Sequence, residues 1–141
     1  MNNVAPEESS DAPLLVSVII ATLNEAGNIE ATIKAIFEHV RAPVEVVVVD
    51  DNSPDGTAEI VEAMTDSRVS VIKRQRGRGL ASAVARGIVK SRGDIVCWID
   101  ADMSVETKYL SAMIEGTDDH DVVIASRFVE GGGDERHPVR V

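Results

Sequence analysis

Five short apolar runs rich in β-branched residues, Leu15–Ala21, Val44–Val49, Val69–Ile72, Ile95–Ile99 and Val122–Ala125, recur along the chain with helix-like stretches between them. The first shows almost no apolar/polar alternation and the second is uniformly β-branched, as strands buried on both faces of a parallel sheet are. Between them, Ile29, Ile33, Ile36 and Val40 recur at helical spacing before Arg41-Ala42-Pro43 ends the pattern. Asn52-Ser53-Pro54-Asp55-Gly56-Thr57 reads as a turn in which Thr57 can cap a helix carrying Ile60, Val61 and Met64. Leu80, Ala83, Val84, Gly87 and Ile88 form a small-residue helix face suited to close packing on a sheet, and Val105–Ile114 suits a fourth helix. This alternation predicts βαβ units and hence an α/β fold, a mostly parallel sheet with helices on both faces. The last run lies close to the end of the sequence, which leaves little chain to cover the final edge of the sheet.

In such a sheet the C-terminal ends of the strands share one rim, where open α/β folds bind their ligands. Polar clusters follow four of the runs directly: Asn24-Glu25, Asp50-Asp51, Asp100-Ala101-Asp102 and Ser126-Arg127. Along an extended backbone Asp100 and Asp102 point the same way, and two such carboxylates repel unless a cation sits between them. Mg²⁺ or Mn²⁺ fits, since hard cations favour oxygen ligands and Mg²⁺ takes only one or two protein carboxylates alongside water and substrate phosphates. Spacing alone leaves this level with a solvated acidic loop, because the chain carries 24 acidic residues in 141 and repeats the pattern at Asp119-His120-Asp121.

The other clusters carry similar alternatives. Asp50 and Asp51 read either as turn and cap residues or as carboxylates that hydrogen-bond a nucleobase or ribose. Arg127 can supply a bidentate contact to a phosphate or form a surface ion pair. Arg78, between Gly77 and Gly79, can approach a diphosphate or sit in a tight turn, and the glycine spacing matches neither a Walker loop nor a dinucleotide fingerprint. His39, His120 and His137 lack metal-ligand spacing, and no Ser-His-Asp or Cys-His nucleophile stands out.

Composition narrows the function classes. With 14 basic against 24 acidic residues the net charge is −10, which argues against nucleic acid as a partner. Ten of the basic residues are Arg and four are Lys, a balance that would suit high salt, where self-repulsion is screened. Cys97 is the only cysteine, so no internal disulfide can form; a reducing cytoplasm is the default, and the residue is expected in the core. Residues 1–13 read as a disordered acidic leader, residues 14–130 as one domain, and residues 131–141 as a flexible Gly-rich and basic tail. No apolar run approaches the ~20 residues of a spanning helix.

Taken together, Val18-Ile19-Ile20-Ala21-Thr22-Leu23-Asn24-Glu25, Val48-Val49-Asp50-Asp51-Asn52-Ser53-Pro54-Asp55-Gly56-Thr57, Gly93-Asp94 leading to Asp100-Ala101-Asp102, and Ala125-Ser126-Arg127-Phe128 resemble the family 2 glycosyltransferases of the GT-A fold. Within that family the resemblance is to the dolichyl-phosphate mannosyltransferase and glucosyltransferase group, and it covers about Val16 to Phe128. It implies a Rossmann-like nucleotide-diphospho-sugar transferase fold. By resemblance, Ala21, Leu23, Glu25, Asp50, Asp51, Arg78 and Arg127 line the donor pocket, Asp100 and Asp102 hold Mg²⁺ or Mn²⁺, and Ser104 stands where some relatives place a third metal ligand. The family usually has Pro where this chain has Ala21, a change that loosens the nucleoside loop without removing a functional group. Relatives also continue well beyond this point with acceptor-binding segments, so the chain looks truncated after the donor-binding region.

The implied reaction is inverting transfer of a hexose from GDP-mannose or UDP-glucose to a polyprenyl phosphate, reached from the cytoplasm at the inner membrane face. Asp100, Asp102 and Arg127 are the catalytic residues under this resemblance, and a phosphate acceptor, already an anion near neutral pH, needs no general base. The alternative within the same fold is a donor-binding module without transferase activity. A distant one is a response-regulator receiver domain, whose acidic pair Val46–Asn52 resembles. Against it, a complete βα unit precedes the pair and no lysine follows Ser126.

Overall fold

A computed structural model describes residues 13–76, 79–126 and 128. Strands β1 (Val16–Thr22), β2 (Val44–Asp50), β3 (Val69–Lys73) and β4 (Ile95–Asp100) alternate with helices α1 (Ile29–His39), α2 (Thr57–Glu62) and α3 (Leu80–Lys90), and α4 (Leu110–Glu115) follows β4. All strand pairs are parallel, in the order β3-β2-β1-β4. Each strand runs one residue beyond its apolar stretch, so Thr22, Asp50, Lys73 and Asp100 are the last ladder residues. The polar rim is therefore part of the sheet.

The fifth predicted strand is not formed. Residues Val122–Ala125 pair with neither sheet edge, and Val122 and Ile124 are 73% and 79% exposed. Apolar alternation supplies a strand's side chains but not the partner its backbone needs. The fourth helix also starts later than expected: Val105 is outside it, Thr107–Tyr109 form a 3₁₀ turn, and the α-helix begins at Leu110.

One face of the sheet packs Val16, Val18, Ile20, Val46 and Val48 against Ile29, Ile33 and Ile36 of α1, Val61 of α2 and Leu110 of α4. The other packs Ile19, Val47 and Val49 against Ala83 of α3. The small residues of α3 are needed there, because a Cβ on Gly87 would come within 2.5 Å of Ile19 Cγ2. β4 departs from the expectation of a strand buried on both sides. Ile95, Cys97 and Ile99 face the core, but Val96 and Trp98 are 41% and 46% exposed, because β4 ends the sheet and α3 lies over β1 and β2. Cys97 is thus half-buried against the core, and burial pushes its thiol pKa up.

At the end of the sheet opposite the rim, a compact network fixes the entry of β4. The Glu45 carboxylate accepts hydrogen bonds from Ser17 Oγ (2.7 Å), Arg92 N (2.7 Å) and Arg92 Nε (2.8 Å), and Gly93 N donates to Ser17 Oγ (2.8 Å). Asp94 binds Leu15 twice, accepting from its N–H and donating to its carbonyl. A side chain on Gly93 would meet Ser17 N at 2.6 Å and Leu15 O at 2.8 Å, so only glycine allows this approach. Gly93-Asp94 thus ties the entry of β4 to β1, in the register that lays Ala21 beside Asp100.

The chain passes from β1 outward to β2 and β3, then returns across the sheet through α3 to pair β4 with the other side of β1. The reversal puts α3 on the opposite face from α1 and α2, as right-handed crossovers require. It also makes the C-terminal ends of β1 and β4 the topological switch point, where this fold class opens a crevice. No helix among the described residues is long and apolar enough to cross a membrane.

Candidate functional site

The rim is assembled by docking the loop after β1 onto the loop after β2. Three successive backbone amides make the contact: Asn24 N to Ser53 Oγ (2.9 Å), Glu25 N to Thr57 Oγ1 (2.9 Å) and Ala26 N to Asp55 Oδ2 (3.0 Å). Thr57 is therefore not the helix cap that its sequence context predicts. The N-cap is Gly56, and the Thr57 hydroxyl bridges Glu25 N and the Asp55 carboxylate. Asp50 is 1% exposed, and its carboxylate accepts from Thr22 Oγ1 (2.9 Å), Ser53 N (2.8 Å) and Ser53 Oγ (2.6 Å). It holds the turn and is directed away from solvent. Most of the acidic turn sequence is thus scaffold for the loop that carries Leu23 and Glu25.

Asp51 is different. Its carboxylate accepts from Arg74 Nε at 2.6 Å, pairs with a terminal guanidinium nitrogen of the same residue, and accepts from Gly79 N at 2.9 Å. Arg74 continues to Ser82 Oγ (2.9 Å) and the Gly79 carbonyl (3.1 Å), and both members of the ion pair are 9% exposed. A planar guanidinium locked to a carboxylate at the end of a strand is a rigid polar surface with a fixed donor and acceptor pattern. Sequence reading passed over Arg74. The signal was its position, directly after β3, as Asp51 directly follows β2. Arg78 and Arg127, both expected to approach donor phosphates, lie outside the described residues.

Across the switch point, Asp100 ends β4 beside Ala21, and Asp102 follows the buried Ala101. Burial raises the Asp100 carboxyl above its ordinary pKa, and the negative charges of Asp102 and Glu25 raise it further. Three carboxylates from two loops therefore face one region. None of the three forms an ion pair with a basic side chain among the described residues. Asn28 Nδ2 steadies Glu25 through Oε2 at 2.9 Å, and Ser104 N donates to Asp102 Oδ1 at 2.9 Å around a left-handed Met103 (φ 57°). Ser104 and Leu23 are both exposed. No group of three or more His, Cys, Asp or Glu side chains is drawn together at ligand distance among the described residues. The donor set is two aspartates with a hydroxyl nearby, which fits a hard cation that leaves positions for water and phosphate oxygen. Like charges crowded without a counter-ion are the state that such a cation relieves.

Comparison with known proteins relates the chain to glycosyltransferases. The family model described as Glycosyl transferase family 2 matches residues 17–140. A dolichol-phosphate mannosyltransferase of Pyrococcus furiosus is 39% identical over 126 residues, covering 87% of this chain and 36% of that protein. The dolichol-phosphate mannosyltransferase of Saccharomyces cerevisiae is 31% identical over 123 residues, 83% of this chain and 46% of that one. Among solved structures, the mannosyltransferase PcManGT of Pyrobaculum calidifontis in complex with GDP-Man and Mn²⁺ aligns with a TM-score of 0.64 at 32% identity, over 74% of this chain and 32% of that one. Glucosyl-3-phosphoglycerate synthase of Mycobacterium tuberculosis in complex with Mn²⁺, UDP and glucosyl-3-phosphoglycerate gives 0.63 at 26% identity, over 77% and 41%. The chain thus spans between a third and a half of the length of these relatives and neighbours.

Proposed function

Because the chain belongs to glycosyl transferase family 2, we propose that it binds a nucleoside-diphosphate hexose, GDP-mannose or UDP-glucose, and serves inverting transfer of the hexose to a polyprenyl phosphate. The observation that carries this reading is the rim itself. An Asp51–Arg74 ion pair on one side and, on the other, Asp100 in the field of Asp102 and Glu25 flank the switch point of a parallel sheet.

The division of labour follows from the positions. Asp51 and Arg74, held to one another at the rim, would meet the edge of a nucleobase, and the exposed Leu23 on the loop after β1 would offer it an apolar surface. Glu25, oriented by Asn28, suits the ribose hydroxyls. Asp100 and Asp102, with Ser104 beside them, would hold Mg²⁺ or Mn²⁺, which when bound neutralises charge on the departing diphosphate. Arg127 adds a second cationic contact to the same phosphates. A polyprenyl phosphate brings its own anionic oxygen to the anomeric carbon, so no carboxylate of this chain is assigned as a base. The named neighbours with GDP-Man and Mn²⁺ or UDP and Mn²⁺ support the donor class and the divalent cation.

The alternative reading is a donor-binding module that does not transfer sugar by itself. Calorimetry with GDP-mannose and UDP-glucose, with and without Mn²⁺, tests both. Binding of neither nucleotide sugar overturns the donor-site reading. Metal-dependent binding with transfer to polyprenyl phosphate supports the transferase, and binding without transfer supports the module.

A further inference from the structure

Between the two aspartates lies Ala101, whose side chain is part of the apolar core and 2% exposed. Its carbonyl is held as well. Thr32, fully buried on α1, donates its hydroxyl to Ala101 O at 2.8 Å. The residue separating the carboxylates is therefore pinned by its methyl group and by its carbonyl to the same layer of the molecule. Helix α1 also holds the far end of the loop, where His39 Nδ1 and Thr107 Oγ1 lie 2.8 Å apart and Ser111 Oγ donates to the His39 carbonyl at 2.8 Å. Residues 102–106, all exposed, are the part left between these two anchors.

We infer that Thr32 is a positioning residue for the divalent cation: its hydroxyl, through Ala101 O, fixes the peptide that sets the directions of Asp100 and Asp102. The inference rests on the donor-site reading above. Thr32 touches neither substrate nor cation. Its contribution lies in the rigidity of the two-carboxylate geometry, since a cation with near-ideal octahedral demands gains less from ligands free to splay. Among the described residues the hydroxyl makes no other hydrogen bond, and a buried threonine serving only to fill space on α1 would be replaceable by valine.

The test uses the 141-residue chain and the EPR signal of free Mn²⁺, titrated in the presence of GDP or UDP. Thr32→Val, close in shape but without the hydroxyl, is expected to weaken Mn²⁺ binding by about tenfold, within the range seen when groups that orient metal ligands are removed. Affinity for the nucleotide measured in EDTA is expected to stay as in the parent. Thr32→Ser, which keeps the hydroxyl, is expected to keep the parent's Mn²⁺ affinity. Parent-like Mn²⁺ binding by a folded Thr32→Val overturns the inference, as does equal loss in the valine and serine variants or an equal loss of metal-free nucleotide binding. Should the valine variant not fold, Thr32→Cys, whose thiol is a poor donor, takes its place, and parent-like Mn²⁺ affinity there overturns the inference too. A parent chain that binds nucleotide but no Mn²⁺ overturns the positioning role while leaving the nucleoside half of the site standing, and a parent that binds neither overturns the donor site itself.

Discussion

At the scale of single residues, the two acidic doublets of the rim have opposite logics. Asp50 and Asp51 are neighbours in sequence, yet one is saturated by the turn it holds and the other is locked to an arginine from the next strand end. Replacing Arg74 by alanine leaves the Asp51 carboxylate buried without its partner, so Arg74→Ala is expected to cost ~3 kcal/mol in urea unfolding and to abolish nucleotide binding measured by calorimetry. Arg74→Lys keeps a charge but loses the planar fork, and is expected to recover part of the stability and little of the binding. Asp100 runs the other way. It stands in the field of Asp102 and Glu25, so the ionised side chain is a liability to the fold. Asp100→Asn is expected to raise the thermal midpoint by roughly 1–3 °C while eliminating Mn²⁺ binding; a lower midpoint would show that the carboxylates are not in repulsive contact. The doublets are equally visible in the sequence. Which member turns inward depends on partners distant in sequence: Thr22 is 28 positions from Asp50, Arg74 is 23 from Asp51, and Glu25 acts on Asp100 from the loop after β1.

At the scale of elements, the apolar runs predicted strands well wherever a neighbouring strand was there to receive them. β1 and β2 lie at the centre of the sheet and are buried almost throughout; β4, at its edge, alternates in burial although its sequence does not alternate in polarity. The difference is one of position, since a residue's neighbours across the sheet decide whether its outer face is covered. Val122–Ala125 has the composition of a strand but no ladder. The small-residue face of α3 was legible because crossing closely over a sheet demands it, and Gly87 carries the tightest contact. Gly87→Ala is expected to destabilise the chain by about 1–3 kcal/mol through displacement of Ile19, read as a lower urea midpoint with an unchanged slope. Gly93, just before β4, faces backbone and not a movable side chain, so its substitution is expected to be the more damaging of the two.

At the scale of the whole molecule, one contribution to pH dependence comes from the end of the sheet remote from the rim. Burial by itself would raise the Glu45 pKa, but hydrogen bonds from Ser17 and from the backbone and side chain of Arg92, with the charge of Arg92, bring it below its ordinary value. A carboxyl depressed in the folded state stabilises it above the unfolded pKa, near 4.5, and that contribution is lost as pH falls through the lower folded value. Glu45→Gln is accordingly expected to be less stable than the parent at pH 7, with the gap narrowing as unfolding is measured at progressively lower pH below about 4.5. A gap that stays constant would remove Glu45 as the cause. The sequence by itself determined the class of fold, the sites where polar residues emerge from strands, and the membership in a sugar-transferring family, because these depend on local periodicity and on residue types at fixed spacing. Only the tertiary structure decided that Arg74 joins Asp51, that Asp50 is scaffold, that β4 is an open edge, and that Thr32 holds the peptide between the two aspartates. Each of these depends on chain segments brought together by the strand order β3-β2-β1-β4, and no local pattern encodes which distant side chain will stand beside a given carboxylate.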